Sequence, residues 1–260
     1  MKIKMFQVDA FTEKLFGGNP AAVCLLKEPL PDDVMQKIAA ENNLAETAFV
    51  LETGDTFNIR WCTPKVEVDL CGHATLASSH VIFNHLKYPH PTIRFTSRSG
   101  ILEVRKEGDL LVLNFPSDMP KKGCLSREVT NSLGMDPVEI LKGKTDYMLV
   151  YENQKQIEDL DPDFPGLGKA NVRGVIVTAK GNECDFVSRF FGPAVGINED
   201  PVTGSAHTNL IPYWSARLGK KNMTAIQLSS RRGHLQCRDL GERVEIGGNA
   251  VTYLVGEIEI

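Results

Sequence analysis

A short polar turn occurs twice in this chain, and it limits the folds open to it. The first copy is Asp69-Leu70-Cys71-Gly72-His73-Ala74, the second Asp200-Pro201-Val202-Thr203-Gly204-Ser205-Ala206. With Gly72 aligned on Gly204, Cys71 meets Thr203, His73 meets Ser205 and Ala74 meets Ala206. Each copy closes an extended stretch, turns on glycine and opens a helical pattern. A matched pair of such turns, both carrying polar groups, predicts two half-molecules that share a cleft.

The flanking patterns fit two similar halves. Leu30-Pro31-Asp32-Asp33 is a helix start, with proline early and acids in the first turn, and Asn42-Asn43 ends that helix. Phe57, Ile59 and Trp61 alternate with polar residues, as do Val66, Val68 and Leu70, and then Leu111, Leu113 and Phe115. A helix is expected from His73 toward Leu86. Pro116 to Gly123 holds two prolines and a glycine without an apolar period, so it is the linker candidate. Beyond it, strands are expected at Met148 to Tyr151, Val172 to Thr178 and Cys184 to Phe190. A helix should run from Ala206 to Leu218, closed by Gly219 and weakened or kinked by Pro212. The last strand should lie near Val251 to Ile260. Strands, a glycine turn, one central helix and more strands in each half predict an α+β fold, not a regular doubly wound sheet. The halves are placed at 1–117 and 118–260.

Composition excludes several functions. A formal charge of −4 gives no nucleic-acid footprint, because nothing would release counterions from phosphate. No apolar run approaches the roughly 20 residues of a membrane helix, and the N-terminal stretch reads as a first strand, not a signal peptide. The six cysteines form no C-x-x-C pair, and most sit singly among apolar residues. A reduced, cytoplasmic protein is expected.

Two helices that begin at glycine turns offer free N–H groups and positive dipole ends, which suit a carboxylate. Glu46 lies in the apolar segment Leu44-Ala45-Glu46-Thr47-Ala48-Phe49-Val50. It is either a desolvated acid/base or a strand glutamate whose neighbours point inward. His73 could shuttle a proton or cap its helix. Asp200 could hold His73 in one tautomer or cap a turn, and Ser205 could cap its helix or bind an anion. Cys71 beside a helix start suggests an activated thiol. A two-thiol racemase would want a second thiol at the matching turn, where Thr203 stands. Gly17-Gly18-Asn19-Pro20 lacks the Gly-Lys-Ser/Thr of a phosphate loop, and the histidines lack metal-site spacing.

Five segments together resemble the PhzF-like proteins, named after the phenazine-biosynthesis isomerase, within the diaminopimelate epimerase fold. They are Phe6 to Phe11, Phe16 to Val23, Asn43 to Phe49, Asp69 to Thr75 and Asn198 to Ala206, spread over most of the chain in family order. The resemblance implies two pseudo-symmetric halves, each a mixed sheet wrapped on a central helix, with C-terminal strands exchanged between them. It implies Glu46 as acid/base with His73 and Asp200, and substrate binding by Gly72, Gly204, Ser205 and Asn19. It also implies a small carboxylate-bearing substrate, no cofactor, no metal and a homodimer. The function expected is a cofactor-independent isomerase. The alternatives are a thiol-dependent racemase or epimerase using Cys71, and a non-catalytic small-molecule binding protein.

Overall fold

The computed structural model describes residues 1–170 and 172–260. The chain forms two compact units, one of 1–114 with 247–260 and one of 115–246.

The first unit opens with β1 (Lys2–Ala10) and β2 (Asn19–Leu26), which pair antiparallel. Helix α1 (Asp32–Asn42) then carries the chain back to β3 (Glu46–Thr53), which lies parallel to β2. Two aspartates sit in the first turn of α1, and Asn43 ends it in the left-handed region at φ 48°, a conformation asparagine tolerates. β4 (Thr56–Cys62) runs antiparallel to β3 and holds the short β5 (Glu67–Val68). Helix α2 (Gly72–Asn84) follows, then β6 (Thr92–Ser97), parallel to β4. β7 (Gly100–Glu107) and β8 (Leu110–Pro116) add two antiparallel strands.

The second unit repeats this order of pairings. β9 (Lys121–Lys122), helix α3 (Arg127–Leu133) and β10 (Glu139–Lys142) lead to β11 (Tyr147–Val150), with β10 antiparallel to both of its neighbours. Helices α4 (Gln154–Asp159) and α5 (Phe164–Lys169) cross to β12 (Val175–Lys180), parallel to β11. β13 (Phe186–Phe191) is antiparallel to β12. Helix α6 (Gly204–Leu218) then crosses to β14 (Asn222–Gln227), parallel to β13, and β15 (Gly233–Asp239) pairs antiparallel. β16 (Arg243–Gly248) precedes β17 (Ala250–Glu259), which belongs to the first unit and pairs with β1. From β1 to β7 and from β10 to β15, pairing alternates antiparallel, parallel, antiparallel, parallel, antiparallel. Each unit therefore wraps its sheet on one long crossover helix, a duplicated α+β fold.

α2 is buried on nearly every side, from His73 through Ser79 and again from Val81 to Phe83. A helix enclosed this way needs small residues and no unmet hydroxyl. Ala74 and Ala77 supply the first, and back-bonding supplies the second. Thr75 Oγ1 donates to the Cys71 carbonyl at 2.5 Å, Ser78 to that of Ala74 at 2.7 Å and Ser79 to that of Thr75 at 2.8 Å.

Three sequence expectations need correction. Val66 and Leu70 do not alternate into a core, since they are 57% and 43% exposed and β5 covers only Glu67–Val68. The Pro116 to Gly123 segment is no free linker, because Asp118 docks it on α6. Asn209 Nδ2 donates to the Asp118 carbonyl at 2.7 Å and to its Oδ2 at 2.8 Å. Pro212 does not interrupt α6. Its missing N–H releases the Thr208 carbonyl four residues back, and the Asp118 N–H takes that carbonyl at 3.0 Å.

Asn209→Ala removes both donations while leaving the Asp118 acceptors in place. Such a loss costs about 1–3 kcal/mol for partly buried groups. Urea unfolding should show that drop with an unchanged m-value, and a loss below about 0.5 kcal/mol would mean that the docking is not held by this amide.

Candidate active site

In the first unit the loop after β1 is built to deliver Asn19. Phe11 and Phe16 both adopt positive φ, and the Phe16 N–H donates to Asp9 Oδ2 at 2.9 Å. Gly18 has φ 59°, and a Cβ there would lie 2.0 Å from the Ala10 carbonyl oxygen, so no larger residue fits. Asn19 then starts β2 fully buried, with Nδ2 3.2 Å from His73 Nδ1.

β3 delivers Glu46. Cross-strand partners share a sheet face, and Ala48 pairs with Trp61 while Phe49 pairs with Arg60. Phe49 packs with Met35, Ile38 and Ala39 of α1. Glu46 and Ala48 therefore point to the opposite face, where α2 begins. There Glu46 Oε2 lies 3.1 Å from His73 Nε2, and both side chains are nearly sealed. The contact is an ion pair outside hydrogen-bond geometry, and Oε2 has no hydrogen-bond partner among the described residues. Cys71, the residue before α2, places Sγ 3.6 Å from His73 Nδ1 and 4.0 Å from Nε2.

Charge follows from this packing. Burial opposes an imidazolium at His73, but the neighbouring Cys71 and Glu46 outweigh it and hold its pKa well above 6.5. Burial, reinforced by the Glu46 charge, pushes the Cys71 thiol up. Asn19 can serve either state of the ring, since a half-turn of its amide exchanges donor for acceptor. Glu46, Cys71 and His73 each offer one ligand atom, all within 4.8 Å of one another. That donor set has the chemistry to accept a divalent cation such as zinc.

In the second unit the matching turn holds a different group. Thr203 Oγ1 donates to Asp200 Oδ2 at 2.5 Å. Gln227, fully buried on β14, clamps both ends of the turn. Its Oε1 accepts the Thr203 N–H at 2.8 Å, and its Nε2 donates to the Asp200 carbonyl at 2.8 Å and to Thr203 Oγ1 at 3.1 Å. Ser205 does not cap α6, because Thr203 holds the N-cap position and Ser205 lies exposed in the first turn. His207 Nδ1 donates to the Thr203 carbonyl at 2.9 Å, as Thr75 Oγ1 donates to that of Cys71. Both turns are thus braced by a side chain bonding back to the residue before the glycine.

The structure brings Asn19, Glu46, Cys71 and His73 together, and separately Asp200, Thr203 and Gly204 with Gln227. Sequence reading missed Gln227 and His207. A glutamine inside the strand Asn222–Gln227 gives no local sign of the turn it holds. His207 stands four residues after Thr203, a helical back-bonding spacing that was open to notice.

Residues 8–256 match the PhzC-PhzF family model, described as phenazine biosynthesis-like protein. An uncharacterized isomerase of Pseudomonas aeruginosa is 50% identical over 260 residues, covering 100% of both chains. A PhzF family protein of Enterococcus faecalis, solved by crystallography, superposes with TM-score 0.97 at 45% identity over 100% of each chain. A probable proline racemase from Agrobacterium radiobacter reaches TM-score 0.64 at 8% identity, covering 99% of this chain and 93% of its own. That last likeness concerns the fold alone.

His73 and His207 should titrate in opposite directions. Burial lowers the His207 pKa to about 4. Between 6.5 and about 4 the unfolded chain binds this proton first. Stability therefore falls as pH drops through that window, by roughly 3 kcal/mol from this ring, and levels off below it. His73, raised, contributes stability that is complete below 6.5 and is lost as pH climbs through its folded pKa. Imidazole NMR titration should find His73 still protonated at pH 7 and His207 neutral at pH 5. The reverse order would overturn the charge assignment.

Proposed function

The chain belongs to the PhzC-PhzF family of phenazine biosynthesis-like proteins, and from that membership we propose that it is an isomerase using Glu46 as its proton carrier. The substrate class proposed is a small carboxylate-bearing molecule, and the reaction needs neither cofactor nor metal. One observation carries the reading: the sealed Glu46 carboxylate has its Oε2 against His73 and no hydrogen bond occupying it.

A base that takes a proton from carbon works best with little solvation and a free lone pair. Glu46 has both. Its carboxylate removes a proton from one carbon, the double bonds shift, and the same carboxyl returns the proton to another carbon on that face. His73, charged beside it, balances charge as electrons move. Asn19 holds the ring through Nδ1. Gly72 at the start of α2 and Gly204 at the start of α6 offer backbone N–H groups suited to a carboxylate. Asp200 and Ser205 are assigned substrate contacts on family grounds. The raised Cys71 thiol favours this reading over a thiol racemase, since a protonated sulfur abstracts no proton.

The test is deuterium uptake, followed by proton NMR in D2O with a panel of small unsaturated carboxylates. Glu46→Gln keeps the shape and should lower exchange at least ~10²-fold, with folding and ligand binding retained. Near wild-type exchange in this variant would falsify the role. Cys71→Ser should keep most activity, and inactivity of a correctly folded Cys71→Ser protein would favour the thiol reading. Dialysis against a chelator should leave the rate unchanged. Loss of activity restored by a divalent ion would make the Glu46, Cys71 and His73 donors a metal site instead.

A further inference from the structure

Glu46 opens β3, whereas Cys71 and His73 flank Gly72 at the start of α2. No single stretch of sequence spaces the three as a metal motif. The fold nevertheless brings one ligand atom of each within 4.8 Å of the others. All three residues are buried, at 9%, 7% and 5% exposure.

The separations suit a cation. Around a tetrahedral zinc, with bonds of about 2.3 Å to sulfur and about 2.0–2.2 Å to nitrogen and oxygen, ligand atoms stand about 3.3–3.6 Å apart. His73 Nε2 is 3.1 Å from Glu46 Oε2 and 4.0 Å from Cys71 Sγ. Small side-chain shifts would put all three on one ion. The angles agree. Nε2 and Oε2 are close enough to hydrogen-bond and do not, and Oε2 has no other hydrogen-bond partner among the described residues. Two polar atoms this close but not aimed at each other can meet at a third. The other side of the ring is already set, with Asn19 Nδ2 3.2 Å from Nδ1. A half-turn of that amide brings its oxygen to the Nδ1 proton, the outer bond that metal-binding imidazoles keep.

A buried ion must also be compensated. A carboxylate at Glu46 and a thiolate at Cys71 carry two negative charges against the two positive charges of the metal, and a neutral imidazole adds none. Thiolate and imidazole select zinc or cobalt over magnesium or calcium, which prefer oxygen.

We propose that Glu46, Cys71 and His73 form a binding site for a zinc-class divalent cation, and that the bound ion switches proton transfer off. On binding, Sγ, Nε2 and a Glu46 oxygen each give a lone pair to the metal. The thiol and the ring nitrogen release their protons to solvent, with no change of oxidation state. A fourth position stays open to water. The carboxylate that would take a proton from carbon is then held by the metal, so the ion inhibits. The switch rests on Glu46 being the proton carrier, whereas the site does not.

Cobalt(II) chloride titrated into the full chain carrying Cys124→Ser, which removes the exposed thiol, should saturate at one equivalent. It should give a sulfur-to-cobalt charge-transfer band and the intense visible bands of four-coordinate cobalt. Zinc sulfate should abolish these bands, and magnesium chloride should not. Cys71→Ser should lose the charge-transfer band and bind cobalt at least ~10-fold more weakly, a loss that even an outer-sphere partner causes. If Cys71→Ser does not fold, X-ray absorption on the zinc-loaded Cys124→Ser protein decides, with one sulfur expected at about 2.3 Å. In the deuterium-exchange assay, saturating zinc should slow exchange at least ~10²-fold, as Glu46→Gln should, and EDTA should restore it. No charge-transfer band, a band that survives Cys71→Ser, no sulfur around the zinc, or full exchange by zinc-loaded protein while Glu46→Gln is slow would overturn the proposal. Full exchange by both would overturn the proton carrier and the switch with it, and the cobalt spectrum would still test the site by itself.

Discussion

A helix enclosed by its own sheet has no solvent face, and the rest of the first unit follows from that. Every polar group on α2 must find a partner inside the protein. The hydroxyls of Thr75, Ser78 and Ser79 do so by bonding back along the helix. His73 does not, because it stands one residue after Gly72 and the residue four back, Asp69, precedes the helix. It needs partners from the sheet, and β2 and β3 supply them as Asn19 and Glu46. The enclosed helix therefore creates a buried charge pair. It also keeps water away from Glu46 Oε2, which has no hydrogen-bond partner among the described residues.

Such a pair is costly to bury, and breaking it by removing one partner leaves an uncompensated charge. Stability alone does not explain it, since apolar side chains of similar size would pack there more cheaply. The strained loop that fixes Asn19, with Phe11, Phe16 and Gly18 all at positive φ, adds a second local cost at the same place. Costs that gather around one acid and one imidazole are the pattern of a reacting centre. This is why we propose Glu46 and His73, rather than the more conspicuous thiol, as the reacting groups.

Much of the fold was legible because duplication wrote it twice. The two glycine turns located both central helices, and Asp32 with Asn43 marked the ends of α1 closely. Alternation misled at Val66 and Leu70, where a two-residue strand leaves apolar side chains in water. Pro212 misled for a different reason. Its effect depends on whether another donor reaches the Thr208 carbonyl, and the donor, Asp118, is remote in sequence. The site shows the same division. Glu46 was visible as a carboxyl in an apolar segment and His73 as a helix-start imidazole, and the structure adds their contact. Gln227 was invisible, since nothing near it in sequence shows what its amide holds.

The two turns share a frame and differ in what they present. In each, a side chain three residues after the glycine bonds back to the residue before it, His207 to Thr203 and Thr75 to Cys71. The brace is what duplication preserved. In the residue it braces, the copies part. Cys71 faces a histidine, whereas Thr203 gives its hydroxyl proton to Asp200 at 2.5 Å and receives a bond from Gln227. A hydroxyl used twice in this way is a fixed strut for a carboxylate and is not free to take a proton from carbon. A thiol in its place would be a weaker donor and acceptor, and Asp200 would be held less firmly. The asymmetry is thus more than a missing second thiol. It gives the two copies different contents, a buried acid and imidazole with a thiol in one half and a rigidly held carboxylate in the other.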